Sequence, residues 1–189
     1  LIAGHNLLDS VHPGGGPALR ALWLILHERG TFAIAYRYRF EVLYPILPWI
    51  GVMAAGFGLG ELFTLARPAR RRALLGWGLA LTAAFVALRA AGFYGDPQPW
   101  TARGGPLYQA LAFLNCEKYP PSLLYLLMTL GPTLLALAWL DGARGWLADA
   151  LATLGRVPLF FYLAHLPFAH MLAVILGMVT GRGLYAFPL

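Results

Sequence analysis

Four apolar stretches, each near the length that crosses a bilayer, constrain this chain more than any other feature. They fall near residues 42–66, 73–93, 121–140 and 157–179. A helix rises about 1.5 Å per residue, so roughly 20 residues cross the ~30 Å hydrocarbon core. Only 12 % of the 189 residues are charged and 59 % are apolar. That is about half the charged share of a soluble domain, too little to cover a water-facing surface. A bilayer removes the difficulty, because lipid-facing surface is itself apolar. The fourteen prolines and 22 glycines also suit membrane helices, where neighbouring helices satisfy freed backbone groups. The expectation is an all-α polytopic transmembrane bundle in one domain, with the lipid bilayer as its main partner.

Charge placement sets the expected topology. Arg67, Arg70, Arg71 and Arg72 lie in a six-residue loop between two spans, a strong positive-inside signal. Loops 67–72 and 141–156 are then cytoplasmic and 94–120 extracytoplasmic. Arg144 and Arg156 agree with this; Arg103 and Lys118 oppose it weakly. The net charge of +6 is read as topology, since no soluble basic module is present to bind nucleic acid. Cys116 is the single cysteine, so no internal disulfide forms; with no second thiol or histidine near it in sequence, no metal is expected in this chain.

Shorter signals fill the gaps. Residues 1–8 read as the end of an upstream helix, and both ends of the chain read as truncations of a longer protein. Residues 9–17 are a Pro/Gly turn, 18–26 an interfacial helix anchored by Trp23, and 27–39 a polar stretch outside the hydrocarbon. Gly56 and Gly60 form a GxxxG pair that suits close helix approach. Residues 107–114 either re-enter the membrane or lie flat, and 146–154 form a second interfacial helix. Glu61 is expected to pair with the arginine loop, and Arg89 to snorkel to the interface.

Three constellations could carry chemistry. The first is Tyr162, His165 and His170 on the fourth span. His165 lies nine residues beyond Arg156, about 13 Å along the helix and near mid-membrane. An ionisable group there is a functional candidate by default. Tyr162 shares its face, and Pro167 frees the carbonyl of Leu163 beside it. The competing reading is a neutral histidine in an interhelical hydrogen bond. The second is Asn115, Glu117, Lys118 and Ser122, a polar cluster at the mouth of the third span. Pro121 and Ser122 suit a helix start with free N–H groups for a polar substrate. Its plain alternative is an interfacial loop with a solvated Glu117–Lys118 pair. The third is His5, Asn6 and Asp9: His5 and Asp9 share a helical face, so Asp9 could orient the histidine as in acid–base sites. The alternative is helix termination by Asn6 and Asp9.

The strings GHNLLD at 4–9, NCEKYPPSLLYLLMTLGP at 115–132 and GRVPLFFYLAHLP at 155–167 resemble a family of bacterial multi-pass membrane proteins. That family is grouped with the catalytic domain of heparan-α-glucosaminide N-acetyltransferase. The resemblance implies about ten spans, with the N-terminal half outside this chain, in the bacterial inner membrane. It also implies acetyl-CoA as co-substrate and an amino sugar or other polar acceptor across the membrane. The family's proposed catalytic histidine has no match here. In this reading His165 is the base or proton relay, Tyr162 assists, and 115–122 with His170 hold the acceptor. Two other classes fit the same residues: a secondary transporter with a midplane site, and a scaffold or homodimer packed through the glycine-rich first span.

Overall fold

The computed structural model describes residues 1–35, 37–101 and 104–180; Arg103 lies outside them. The described chain is helical apart from one short hairpin. In order it contains α1 (Pro17–Leu26), β1 (Gly30–Ala35), β2 (Tyr38–Val42), α2 (Ile46–Gly60), α3 (Arg67–Ala91), α4 (Pro106–Leu114), α5 (Leu123–Leu140), α6 (Trp146–Arg156) and α7 (Pro158–Val179). One-turn 3-10 helices cover His5–Leu8 and Glu61–Thr64. Among the described residues four segments are long and apolar enough to cross a membrane: Ile46–Thr64, Arg67–Ala91, Leu123–Leu140 and Pro158–Val179. The all-α bundle follows, and the chain is an integral membrane protein. It divides into two compact units, Leu1–Asp141 and Gly142–Leu189.

The first unit is organised by α3 against α5. Close approach in an apolar setting needs small residues at the crossing, because no hydrophobic force draws helices together in lipid. Gly78 and Gly131 supply it. A Cβ on Gly131 would lie 2.8 Å from the backbone nitrogen of Thr82, and one on Gly78 would lie 3.0 Å from that of Leu135. Two core clusters flank the crossing, Phe85 with Leu123, Leu124 and Leu127, and Leu74 with Leu134 and Ala138. Thr82, Thr129 and Thr133 each donate a hydroxyl to the carbonyl four residues back, so these three hydroxyls are paired within their own helices. The expected close-packing pair, Gly56 with Gly60, is not used this way: a Cβ on either meets nothing within 4 Å.

The arginines differ from expectation at both ends of α3. At its start they form the first helical turns rather than a loop. Arg70 holds Asp141 in a two-pronged pair at 3.1 and 2.6 Å, and Arg67 donates to the Asp141 carbonyl just beyond α5. The Arg70 hydrogen bonds hold the Asp141 carboxyl below the usual carboxylate range. Among the described residues Asp141, not Glu61, thus pairs with the arginine cluster. Asp141 wins because α5 brings it beside the first turn of α3, where a fork can be met by two oxygens.

At the other end Arg89 does not snorkel. Its side chain is 3 % exposed and lies 3.9 Å from Asp96, itself 4 % exposed. The guanidinium donates to the carbonyls of Ala112, Phe113 and Asn115 at the end of α4, and to that of Gln98. The last carbonyls of a helix lack internal partners, and a cation there also meets the negative end of its dipole. Asp96 in turn accepts from the Gln98 and Glu117 amides and from the Ser122 hydroxyl. Ser122 caps α5 by accepting from the Tyr125 amide. Gly92, at φ 68°, ends α3 in the left-handed region so that the chain can turn into this network.

Gly30–Ala35 and Tyr38–Val42 form a strand pair that the all-helical reading did not foresee. β1 and β2 run antiparallel with Thr31 opposite Glu41 and Phe32 opposite Phe40, whose rings lie 5.5 Å apart. Cross-strand aromatic pairing of this kind stabilises short ribbons.

In the second unit α6 is followed at once by α7. Of the described α7 residues only Gly177 is buried, as expected for a helix that is apolar on every side.

Three substitutions test this unit. Gly131→Ala forces a methyl into the Thr82 backbone and is expected to cost about 1–3 kcal/mol, read as a clear fall in the melting temperature of purified protein. Gly56→Ala, which meets open space, is expected to leave it unchanged or slightly raised. Arg89→Leu strands the buried Asp96 carboxylate and the α4 carbonyls, for an expected loss of about 3–5 kcal/mol, measured in the same thermal assay.

Candidate functional site

Two of the three sequence constellations meet in space, at the Arg89 end of α3. The 3-10 turn His5–Leu8 packs beside the start of α5. His5 Nε2 lies 2.9 Å from the Pro121 carbonyl, and the Asn6 side-chain oxygen accepts from the Leu123 amide at 3.0 Å. Asn6 thus helps cap α5, supplying one of the partners that its first amides lack. Its amide nitrogen donates to Asp9 Oδ2 at 3.0 Å, which fixes that carboxylate.

Asp9 lies against a histidine other than the one four residues away. Its Oδ1 is 3.4 Å from Nε2 of His27, the residue that caps the C-terminus of α1. His5 and His27 are each 1 % exposed and meet edge-to-face, with ring centroids 5.6 Å apart. Trp23 packs on the other side of His27 at 5.0 Å. Burial, then the neighbouring His27, push the His5 pKa below the usual histidine value, with Asp9 opposing. Nδ1 of each histidine is buried and has no hydrogen-bond partner among the described protein atoms. Such a group costs about 1–3 kcal/mol when left unmet. One ligand atom each from His5, Asp9 and His27 lie within 4.8 Å of one another, so these three are the side chains able to hold a cation here.

A pocket of about 330 Å³ opens beside this cluster. Asn6, Asp9 and His12 line one part, His27, Glu28 and Arg29 another, and Pro97, Glu117, Tyr119 and Pro120 the rest. Glu28 accepts from the Trp23 indole at 3.0 Å and pairs with His12 at 2.9 Å. Glu117 accepts from the Tyr119 amide at 3.2 Å, and Lys118 lies over the Tyr119 ring at 5.1 Å. Adjacent Glu117 and Lys118 thus take different partners rather than each other. The pocket can hold a small polar molecule: carboxylates meet a cationic or hydroxylated face, and an arginine meets an anionic one.

The remaining sequence candidates stand elsewhere. Asn115 contributes its carbonyl to Arg89 and its side chain is exposed. Ser122 is fully buried and its hydroxyl is committed to Asp96 and Tyr125, so it builds the site rather than lining it. Tyr162, His165 and His170 belong to the second unit. The His165 ring lies 5.4 Å from Tyr162 and stacks on Phe161 at 5.9 Å, and its Nδ1 faces the Phe161 carbonyl at 3.2 Å. Tyr162 and His170 are exposed.

His27, Glu28, Asp96 and Arg89 are the residues that sequence reasoning missed. No spacing rule links Asp9 to a histidine 18 positions on. The only signal was the polar run His27-Glu28-Arg29 closing an otherwise apolar helix. Cys116, packed at the edge of the Phe85 cluster, is free.

Nothing outside the chain narrows the reading: no family model, no curated protein and no solved structure matches it.

One chemical consequence concerns Cys116. Burial, with Asp96 adding and Arg89 opposing, pushes its thiol up to about 11. The thiolate is the nucleophile, so at pH 8 the folded protein should react with iodoacetamide about a hundredfold more slowly than an ordinary thiol. The rate should still be climbing at pH 10. A rate that levels off near pH 9 would contradict the buried environment.

Proposed function

We propose that this chain carries the acceptor site of a membrane-bound acyltransferase, with acetyl-CoA as donor and an amino sugar or similar polar molecule as acceptor. The observation that carries the reading is the convergence of 5–9, 27–29 and 117–120 on one polar pocket beside an Asp9–His27 pair. The strings that resemble the acetyltransferase-related family supply two of these three segments. The positive-inside rule supports a cytoplasmic arginine-rich start of α3, which puts the pocket on the extracytoplasmic side of a bacterial inner membrane.

The chemistry asked of the pocket is modest. Glu28 and Glu117 attract the acceptor's amine and hydroxyls. The amine nitrogen attacks the thioester carbonyl; the C–N bond forms and the C–S bond breaks. The amine's proton passes to the His5–Asp9–His27 cluster, and CoA leaves as the thiolate. A positioned proton acceptor contributes about 10²–10⁴-fold to such steps. His165 is the rival proton acceptor, on its expected depth in the membrane.

The test is transfer of labelled acetyl from acetyl-CoA to glucosamine by the full-length protein in nanodiscs, with saturable acetyl-CoA binding followed by calorimetry. His27→Gln is expected to lower transfer by about a hundredfold or more with donor binding intact. Full transfer in His27→Gln and its loss in His165→Ala would move the chemistry to α7. A well-folded wild-type protein that neither binds acetyl-CoA nor transfers acetyl would overturn the reading and bring the transporter forward.

A further inference from the structure

We infer that His5, Asp9 and His27 form a binding site for a divalent transition-metal cation of the zinc class, with an open coordination position toward the pocket. The site deepens the reading above by giving the cluster its chemistry, but its own test reads metal binding and stands apart from acetyl transfer.

Three independent observations converge. The first is composition: two imidazoles and one carboxylate, with no thiolate, make up a ligand set found in catalytic zinc sites and shared by other divalent transition metals. Ligand atoms from all three lie within 4.8 Å of one another. The second is geometry. Zinc with arms of about 2.0–2.2 Å separates neighbouring tetrahedral ligands by about 3.4 Å. The His27 Nε2 to Asp9 Oδ1 distance is 3.4 Å, long for an N–H···O hydrogen bond and right for two ligands of one ion. The third is the state of His5. It is 1 % exposed, and its Nδ1, the nitrogen not facing the Pro121 carbonyl, has no partner among the described protein atoms.

The surroundings fit as well. A metal-bound histidine usually gives its other ring N–H to a carbonyl or carboxylate, which fixes its tautomer. His5 Nε2 sits 2.9 Å from the Pro121 carbonyl, leaving Nδ1 with the lone pair. Asp9 is held through its second oxygen by Asn6, as carboxylate ligands commonly are. Three protein ligands leave a fourth position for water or substrate. Because Asp9 and His27 also line the 330 Å³ pocket, a molecule bound there would reach that position. A cation so placed would polarise the acceptor's amine or hydroxyl, so that with the metal bound the cluster takes up the proton through the group in its fourth position rather than on an imidazole.

The test uses full-length protein in detergent, stripped with EDTA and titrated with Zn²⁺ in competition with a chromophoric chelator. One tight equivalent per chain is expected, and Co²⁺ in its place should show the visible absorption of a four-coordinate site. His27→Gln and Asp9→Asn should each weaken Zn²⁺ by more than the roughly 10–100-fold that outer-shell changes cost. His165→Ala should bind as wild type. Thermal shift guards against misfolding: Zn²⁺ should raise the melting temperature of wild type and of His165→Ala, but not of Asp9→Asn that still melts cooperatively. Absence of tight binding by folded wild-type protein would overturn the inference. So would binding that survives both His27→Gln and Asp9→Asn. Loss of acetyl transfer with Zn²⁺ binding intact would count against the transferase reading alone.

Discussion

A guanidinium cannot shed its proton, so a buried arginine must be met by enough acceptors or the fold pays several kcal/mol. Arg89 is met by four carbonyls and, at 3.9 Å, by Asp96. That requirement shapes everything between α3 and α5. It draws the end of α4 onto α3, and it holds Asp96 where one carboxylate serves the Glu117 amide and the Ser122 hydroxyl. Ser122 caps α5, and the residues just before it bound the pocket. The polar site therefore hangs from one apolar-membrane problem: how to end two helices without stranding their backbone groups.

The lipid-facing part of the unit is held differently. Gly78 and Gly131 let α3 and α5 touch backbone to backbone, where dispersion rather than the hydrophobic effect does the holding. At the far end the Arg70–Asp141 fork and the Arg67 contact to the Asp141 carbonyl tie the start of α3 to the end of α5. The two helices are thus pinned at both ends by charge-assisted bonds and in the middle by absent side chains. Between them the chain gains a rigid base on which short, irregular segments can be positioned.

The helices were legible because their signal is local. A run such as LLYLLMTLGPTLLALAWL admits little but a membrane helix, and Pro and Gly punctuation marks its ends. The GHNLLD and NCEKYPPS strings were also picked out as polar islands in apolar sequence. Their meeting was not legible, nor was the third participant. His27 sits in a stretch that reads as mere interfacial loop, and Arg89 reads as a snorkelling cation until α4 is seen to end beside it. GxxxG at 56–60 had the better motif, yet the crossing uses Gly78 and Gly131, because a small residue matters only where another backbone arrives.

Sequence alone determined that this chain spans a membrane, roughly where, and which polar strings are out of place there. Hydropathy and helix length are properties of consecutive residues, and a bilayer leaves the backbone almost no other choice. Tertiary structure decided the partners: Asp9 with His27 rather than His5, Asp141 rather than Glu61 with Arg70, Arg89 with α4 rather than the interface. Those choices turn on which ends of which helices lie together, a matter of distances across the bundle that no spacing along the chain encodes.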